Sequence, residues 1–431
     1  MRAAIIIGML WSFTVPAAEL NLPNVFSPNT PARAHEVNDN FNATASAVND
    51  NHTRLAAAEI DLADLQAQIT ALQTLVTQQQ ATISALQSNS VLALDGHLRM
   101  GSYDGYETAV FDGINVQIIN GFDQSVNDTT FNGLGNLIIG HNWDNAVLPG
   151  AFCSKGQYNN ATDCQANGGT WGEHQHSGSH NLIMGTGNSY VSGGAIVAGK
   201  YNISNSSHAS ILGGSANRVR DVDSVIVGGS QNLITQDRSV IVGGNDNQVT
   251  GVHAAILGGE DNVASGTYAA VSGGDTNTAS GAHASIAGGY QNLATANRTS
   301  VTGGRQNEAS QAYGSVHGGI GNVASGSYSV VSGGADNVAS GLYAVVSGGW
   351  ENSAQAEYSA ILGGENNITN GRQSVVTGGF LNQTGAAATW SSVTGGRSNL
   401  TIGTESTVSG GFNRDAFGSA DWVAGTLLED D

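Results

Sequence analysis

Three closely spaced histidines are the side chains in this sequence whose type and spacing come nearest to a chemical site. His174, His176 and His180 lie in the run EHQHSGSH, and alternating histidines can coordinate a metal ion. A metal centre would also need a matching set of carboxylates or thiols, which the sequence does not clearly supply. The sequence therefore predicts neither a metal site nor a cofactor.

Acidic residues beside glycine raise a second possibility, which is calcium binding by repeats. The runs GGNDN and GGEDN superficially suggest it. Calcium-binding glycine-rich repeats have a period of about nine residues and a regular Asp. Here the period is 15, and the residue before Asn changes from Asp261 to Thr276 and Gln291. We therefore predict no calcium site in the repeats.

Motifs for catalysis are also missing from the sequence. It contains no Gly-x-Ser-x-Gly context, phosphate-binding loop or evident acid pair, and only 11% of its residues are charged. Carbohydrate-cleaving enzymes need acids and bases that flank one bond. We predict a non-enzymatic protein without catalytic residues. The alternative is a secreted carbohydrate-binding or carbohydrate-active solenoid protein.

The charge balance excludes another group of functions. The chain has 431 residues, with 14 Lys and Arg against 34 Asp and Glu, and a net charge of −20. Binding to nucleic acid phosphates needs a basic face, so we predict no nucleic-acid partner. We interpret the acidic excess as solubility through self-repulsion.

The first 18 residues have the organisation of a secretory signal peptide. Arg2 precedes a short apolar run over 3–13, and small residues follow it. No later run reaches 18 apolar residues, so we predict no transmembrane helix. In a secreted chain the two cysteines, Cys153 and Cys164, are expected to form a disulfide.

Beyond a lead-in segment at 19–40, residues 41–90 carry a heptad pattern. Every seventh residue from Phe41 to Ile83 is apolar, and a row three residues further on includes Leu65 and Leu72. This seam predicts an α-helical coiled-coil stalk. Polar Asn51 and Gln79 in the second row leave the number of strands, two or three, open.

From 181 to 413 the sequence is built from repeats of Gly-Gly, two variable residues and Asn, mostly 15 residues apart. A β-branched residue lies two positions before each Gly-Gly, as at Ile256, Val271 and Ile286. Spacings of two predict short strands, and such units bury apolar side chains only by stacking on one another. We predict a mainly β fold, a β-solenoid about 75 Å long at about 4.8 Å per turn.

Two flanking segments complete the predicted organisation. Residues 91–180 predict a small β transition region with short strands in VLALDGHLRM and INVQIINGF and a loop closed by the disulfide. Residues 414–431 are expected to cap the open end of the solenoid through Phe417, Trp422 and Leu427.

The Gly-Gly pair predicts a corner, because glycine permits positive φ and close backbone approach. The Asn that follows tolerates turn conformations, and stacked Asn amides can bond along an axis. We predict a structural Asn ladder rather than a ligand array. Its members are Asn217, Asn232, Asn247, Asn262, Asn277, Asn292, Asn307, Asn322, Asn337, Asn352, Asn367 and Asn382.

Two columns of side chains are candidates for outside contacts. Tyr290, Ile320, Trp350 and Phe380 follow Gly-Gly at intervals of 30 residues, so they would form a stripe with steps of roughly 10 Å. An exposed apolar stripe marks an interface, and we predict a subunit contact or a receptor-binding ridge. A second column, from His253 to Tyr358, predicts a stabilising ring ladder, with carbohydrate stacking as the alternative.

Taken together, the signal peptide, the heptad stalk and repeats such as SVVSGGADNVASGLYAVVSGG resemble the trimeric autotransporter adhesins with haemagglutinin-type head repeats. The resemblance implies a left-handed parallel β-roll, a homotrimer, and adhesion to a glycan or matrix receptor from the bacterial cell surface or the extracellular space. In that family the stalk usually follows the head and a membrane anchor ends the chain, whereas here the stalk comes first and no anchor is expected.

Overall fold

The computed structural model describes residues 20–88, 97–121, 131–141, 151–154, 158, 160–172 and 175–425. The predicted signal peptide at 1–18, and also His174 and Leu427, lie outside the described residues. The chain divides into two compact units, Met1–Val116 and Gln117–Asp431. Each unit is described by itself below.

The first unit contains a helix of 54 residues, Ala34–Gln87. The helix confirms the helical part of the stalk prediction and begins seven residues earlier than 41, inside the expected lead-in. The backbone N–H of Arg33 donates to the Glu36 carboxylate at 3.2 Å and so satisfies one donor at the helix start. Asn24 and Asn40 exchange two hydrogen bonds of 2.8 and 2.7 Å, which hold the lead-in against the first turns.

The heptad seam of this helix is exposed in the single chain. Within the described part of the chain no side chain of the helix is buried. The exposed fractions of Phe41, Leu62 and Leu72 are 69%, 62% and 61%. An apolar stripe on a helix is normally covered by another helix, so the seam of Ala34–Gln87 has the character of a surface for association.

The transition region forms a hairpin, although one of the expected strands is missing. Strands Leu98–Tyr103 and Tyr106–Phe111 pair antiparallel. The prediction of a strand in INVQIINGF was wrong, since residues 114–121 form no strand. The end of that segment is bonded to a loop instead of a sheet ladder: the Asn132 side chain donates to the Asn120 carbonyl at 2.8 Å.

The cysteine loop confirms the predicted disulfide. Cys153 and Cys164 are bonded, with their Cα atoms 5.6 Å apart. Strands Phe152–Cys153 and Trp171–Gly172 pair antiparallel around a short helix, Ala161–Ala166. The Phe152 ring packs into a small buried cluster with solenoid side chains, so the loop is fixed to the first turns.

The rest of the second unit is a parallel β-solenoid of about 16 turns, which confirms the predicted fold class. Three ladders run along it. The strands of the first ladder are Leu137–Ile139, Leu182–Thr186, Ile196–Lys200, Ser210–Ile211, Val225–Ile226, Val240–Ile241, Ala255–Ile256, Ala270–Val271, Ser285–Ile286, Ser300–Val301, Ser315–Val316, Val330–Val331, Val345–Val346, Ala360–Ile361, Val375–Val376, Ser392–Val393, Thr407–Val408 and Trp422–Val423.

The second ladder lies on the other side of the core and consists of short strands. They are Ser189–Tyr190, Ile203–Ser204, Arg218–Val219, Leu233–Ile234, Gln248–Val249, Val263–Ala264, Thr278–Ala279, Leu293–Ala294, Glu308–Ala309, Val323–Ala324, Val338–Ala339, Ser353–Ala354, Ile368–Thr369, Gln383–Thr384, Leu400–Thr401 and Asp415–Ala416. The third ladder has one residue per turn, from Lys200 to Phe412.

The pairing register stacks like residues upon one another. Val271 pairs with Ile286, and Ala279 on the second ladder pairs with Ala294. These four side chains are at most 1% exposed. Full burial of an aliphatic side chain of this size stabilises the fold by about 1.5–3 kcal/mol, and the small Ala side chains on the facing ladder let the two ladders approach closely.

The corner geometry distinguishes the two glycines of each pair. In Gly258–Gly259 only the second glycine has φ in the left-handed region, at +93°. A Cβ on Gly259 would lie 2.1 Å from the Gly274 carbonyl oxygen of the next turn, whereas a Cβ on Gly258 would have no atom within 4 Å. Each corner has a second position with positive φ, and the residue before the Asn occupies it, as Asp261 does with φ 53°. The turn conformation expected of the Asn therefore belongs to its neighbour.

The solenoid continues past 413 into the segment expected to be a cap. Asp415–Ala416 and Trp422–Val423 pair with the preceding turn. Phe417 and Trp422 are 64% and 70% exposed, so in the single chain they do not close the end. Among the described residues, no helix combines the length and the apolar character that crossing a membrane requires.

We predict that Gly289→Ala destabilises the solenoid and that Gly288→Ala does not. Gly289 has φ +96°, and an added Cβ would lie 2.2 Å from the Gly304 carbonyl oxygen, whereas nothing lies within 4 Å of a Cβ at Gly288. A side chain forced into such a conformation costs about 1–3 kcal/mol before the clash is counted. Urea unfolding of both variants checks this expectation, and equal unfolding midpoints would contradict it.

Candidate functional site

The Asn column lies inside the solenoid and is saturated with hydrogen bonds. The side-chain amide of Asn277 donates to the Gly273 carbonyl at 3.1 Å and to the Gly289 carbonyl of the next turn at 3.0 Å. Its Oδ1 atom accepts the backbone N–H of Asn292 at 3.0 Å. Each of the twelve Asn side chains in the predicted ladder is 0% exposed. Their geometry is that of a structural ladder that joins the corners of successive turns.

The ladder extends beyond its twelve predicted members at both ends. Asn202 Oδ1 accepts the N–H of Asn217, 15 residues further on, and the N–H of Asn399 donates to Asn382 Oδ1 across an interval of 17 residues. At the final corner Arg414 occupies the ladder position, and its backbone N–H donates to Asn399 Oδ1 at 3.0 Å. The neighbouring Asn413 takes the positive-φ position, at φ 54°.

The aromatic stripe follows the third ladder on the outside of the solenoid. Tyr290, Ile320 and Trp350 are 38%, 52% and 49% exposed, and Phe380 is partly exposed. Other residues of the ladder separate its members: Tyr290 and Ile320 each pair with Arg305 across one turn. The four residues of the stripe therefore alternate along the third ladder with Arg305, Ala335 and Glu365.

Arginines cover several of the rings in this column. The Arg305 guanidinium lies 5.7 Å from the Tyr290 ring centroid. Arg397 lies between two rings, 5.4 Å from the centroid of Phe380 and 5.6 Å from that of Phe412. Cation–π contacts of this kind hold long side chains in place at exposed sites. The column is thus an ordered ridge that combines apolar, aromatic and charged groups.

The second external column is a ring ladder. Tyr313, Tyr328, Tyr343 and Tyr358 stack with centroids 4.6 to 5.0 Å apart and interplanar angles of 3° to 17°. His253, Tyr268 and His283 form a second stack at 4.8 and 4.9 Å. Ring stacking at the spacing between strands supports the stabilising role that the sequence predicts.

Arginines close both ends of the four-tyrosine stack. Arg298 lies 5.4 Å from the centroid of Tyr313, and Arg372 lies 5.9 Å from that of Tyr358. Each ring face within the stack is covered by a neighbouring ring or a guanidinium, so solvent meets ring edges and hydroxyls. Stacking on a sugar needs a free ring face. This geometry argues against carbohydrate stacking at these four tyrosines.

The two described histidines of the run, His176 and His180, are held by other contacts and turns of the chain. His176 Nε2 lies 3.2 Å from the Asn188 carbonyl oxygen, and its ring stacks on Tyr190. His180 occupies a positive-φ position, at 59°. Among the residues that the structure describes, no group of three His, Cys, Asp or Glu side chains could hold a metal ion.

Arg218 is a structural residue that the repeat pattern alone does not reveal. Its guanidinium lies 5.7 Å from the Phe152 ring centroid and joins the cysteine loop to the solenoid. Burial, with a smaller contribution from the neighbouring charge of Arg220, lowers the pKa of Arg218 to about 10, so the side chain remains charged at neutral pH. The run RVR at 218–220, a pair of basic residues in repeats with few Lys or Arg, is the signal that could have found it.

No protein-family model matches this chain, and no curated protein matches it. The candidate sites therefore rest on their own geometry.

We predict that Asn292→Ala lowers the free energy of unfolding by at least about 2 kcal/mol, since each buried partner left unpaired costs about 1–3 kcal/mol. The substitution removes the donors to the carbonyls of Gly288 and Gly304 and the acceptor for the N–H of Asn307. Asn297→Ala, at an exposed Asn of the adjacent loop, is the matched control. Denaturant unfolding in which the two variants are equally stable would show that the ladder does not stabilise the turns.

Proposed function

We propose that the protein is a non-enzymatic, secreted or cell-surface adhesin-like or structural fibrous protein. In this proposal a homotrimer held by the helix Ala34–Gln87 displays the solenoid, and the solenoid contacts a surface glycan or an extracellular matrix receptor. The observation that carries the proposal is the external ridge from Tyr290 to Phe412, where aromatic and charged side chains are ordered along the outside of a regular scaffold.

The exposed helix seam supports assembly of several copies. The apolar side chains every seven residues remain in solvent in the single chain, as for Ile69 at 47% and Val76 at 63% exposure. A heptad seam of this length is covered by the same seam of other copies in a coiled coil. The resemblance to trimeric adhesins favours three copies over two.

The ridge has the composition of a contact surface for another molecule. Trp, Tyr and Arg are the residues that contribute most to binding energy at protein interfaces, and Trp350, Tyr290 and Arg305 all lie on this ridge. Glu260, Asp275 and Glu365 share the same column. Because copies with the same acidic groups repel one another there, the ridge favours a receptor over a subunit contact.

The test is binding of the full-length protein to an array of glycans and matrix proteins, followed by titration of the strongest probe. We predict at least about tenfold weaker binding for Trp350→Ser, because exposed Trp anchors dominate such surfaces. Trp390→Ser, at a Trp that is 56% exposed and lies outside the third ladder, is the matched control and should keep the affinity. Absence of binding to any probe, or equal loss in both variants, would contradict a role for the ridge in adhesion.

A further inference from the structure

The four-tyrosine stack places one phenol directly above another on consecutive turns. Its members are Tyr313, Tyr328, Tyr343 and Tyr358. Each of these residues has a positive φ, between 56° and 62°, which is uncommon for a bulky side chain. Asp223 and Gln373 take the same turn position elsewhere in the solenoid. The corner therefore does not require an aromatic residue at this position, and the run of tyrosines is open to a role of its own.

The register of the solenoid holds like atoms of these rings close together. The centroids of neighbouring rings are 4.6, 4.8 and 5.0 Å apart, with interplanar angles of 4°, 17° and 3°. These distances match the spacing between paired strands, about 4.8 Å, so each ring is nearly a translated copy of the next. The hydroxyl and the two ring carbons beside it, Cε1 and Cε2, therefore lie about 5 Å from their counterparts on the neighbouring ring.

The hydroxyl-bearing edges of the rings are open to reagents in solution. The four tyrosines are 37%, 42%, 40% and 45% exposed in chain order. Neighbouring rings cover their faces within the stack, and Arg298 and Arg372 cover the two ends. An oxidant can therefore reach the ring edges without opening the solenoid, and the rings have room to tilt toward each other at those edges.

We propose that the four-tyrosine stack is a site of oxidative cross-linking, at which hydrogen peroxide and a peroxidase join neighbouring rings. One-electron oxidation of each phenol removes an electron and the hydroxyl proton, and the unpaired electron spreads to Cε1 and Cε2. Two adjacent radicals form a bond between one Cε atom of each ring, and the hydrogens displaced from these carbons return to the phenol oxygens as protons. Each bond consumes one peroxide, which takes up the two electrons and two protons and becomes two water molecules.

Fixed contact favours coupling inside the stack over coupling elsewhere. Two groups that are held next to each other react in an effectively unimolecular step, whereas tyrosines on separate molecules meet only by diffusion. Tyr328 and Tyr343 have a tyrosine on each side, so a radical on either ring has two possible partners. Tyr268 is a contrast, since its neighbours in the ring ladder are His253 and His283.

A bond between two rings fastens consecutive turns at a point outside the glycine corner. Between Tyr328 and Tyr343 it closes a loop of 15 residues, and such a closure lowers the conformational entropy of the unfolded chain, as a disulfide does. We therefore expect the oxidised protein to unfold at a higher urea concentration than the untreated protein. This inference does not rest on the proposed function, because it concerns the turns of a single chain.

Oxidation of the full-length protein with a peroxidase and limiting hydrogen peroxide tests the proposal. The protein is kept dilute, and the product that migrates as a single chain on a denaturing gel is analysed. We expect dityrosine fluorescence in this band and a mass lower by two hydrogen atoms for each bond. Cleavage at acidic residues separates Tyr328 from Tyr343 at Asp336 and Tyr343 from Tyr358 at Glu351, so the linked peptides identify the joined rings.

Two double variants decide whether the stacking is responsible. Tyr328→Phe with Tyr343→Phe keeps four stacked rings but leaves no two tyrosines adjacent in the stack, and we expect at least about tenfold less single-chain dityrosine. Tyr106→Phe with Tyr268→Phe is the matched control, because it removes two tyrosines outside the stack that are 76% and 51% exposed. The control should keep the yield of the parent protein.

The single variant Tyr343→Phe keeps the test decisive if the double variant in the stack does not fold. In this variant only the bond between Tyr313 and Tyr328 should remain. Equal dityrosine yields in the two double variants, or linked peptides that join tyrosines outside the stack, would show that stacking does not direct the reaction. Oxidised tyrosines without a bond between them would overturn the proposal as well.

Discussion

The whole solenoid depends on how closely two turns approach at the glycine corner. The second glycine of each pair has positive φ, and its Cα hydrogen faces the carbonyl of the corresponding glycine one turn away, as for Gly274 and Gly289. A residue with a Cβ atom would clash with that carbonyl oxygen. The same closeness lets one Asn amide bond to the corner carbonyls of two turns at once. Gly-Gly and Asn are therefore two parts of one joint between successive turns.

Because the joint repeats, the inside and the outside of the chain are under different constraints. Inside, Ile, Val, Ala and Asn must stack on like residues, and their side chains are almost completely buried. Outside, each column is free to vary, and the columns have diverged in character. One is a ridge of aromatic and charged groups, and another is a ladder of rings closed by arginines. The proposed display of a contact surface follows from this division between a fixed interior and a variable surface.

The sequence predicts the repeating features well because the same residue types recur at the same positions in many turns. The period, the buried aliphatic column, the Asn ladder and the disulfide could all be found from residue types and spacing. The turn conformation at Asp261 was assigned to the neighbouring Asn, because both residues favour turns and only the backbone geometry distinguishes them. Asn399 departs from the regular pattern because an insertion lengthens the interval from Asn382 to 17 residues. Arg414 keeps the interval of 15, but it is not an Asn, so residue type does not mark it as a member of the ladder.

Features that occur once were harder to predict. The segment INVQIINGF has the composition of a strand, yet residues 114–121 form none, and Asn120 is bonded to a loop. The contact between Arg218 and Phe152 joins residues 66 positions apart and has no counterpart in other turns. Likewise, spacing alone places Arg305 in the column of the aromatic stripe, but only the structure shows that its guanidinium covers the Tyr290 ring.

Native-state hydrogen exchange of the backbone amides tests the joint most directly. The N–H of Asn292 is bonded to the Asn277 side chain, and the N–H of Ala287 is bonded to the Val301 carbonyl in the first ladder. If the Asn column joins the turns, both amides should exchange at the same slow rate, because each is released only when the turns separate. Exchange of the Asn amides as fast as that of exposed loop amides would contradict this account.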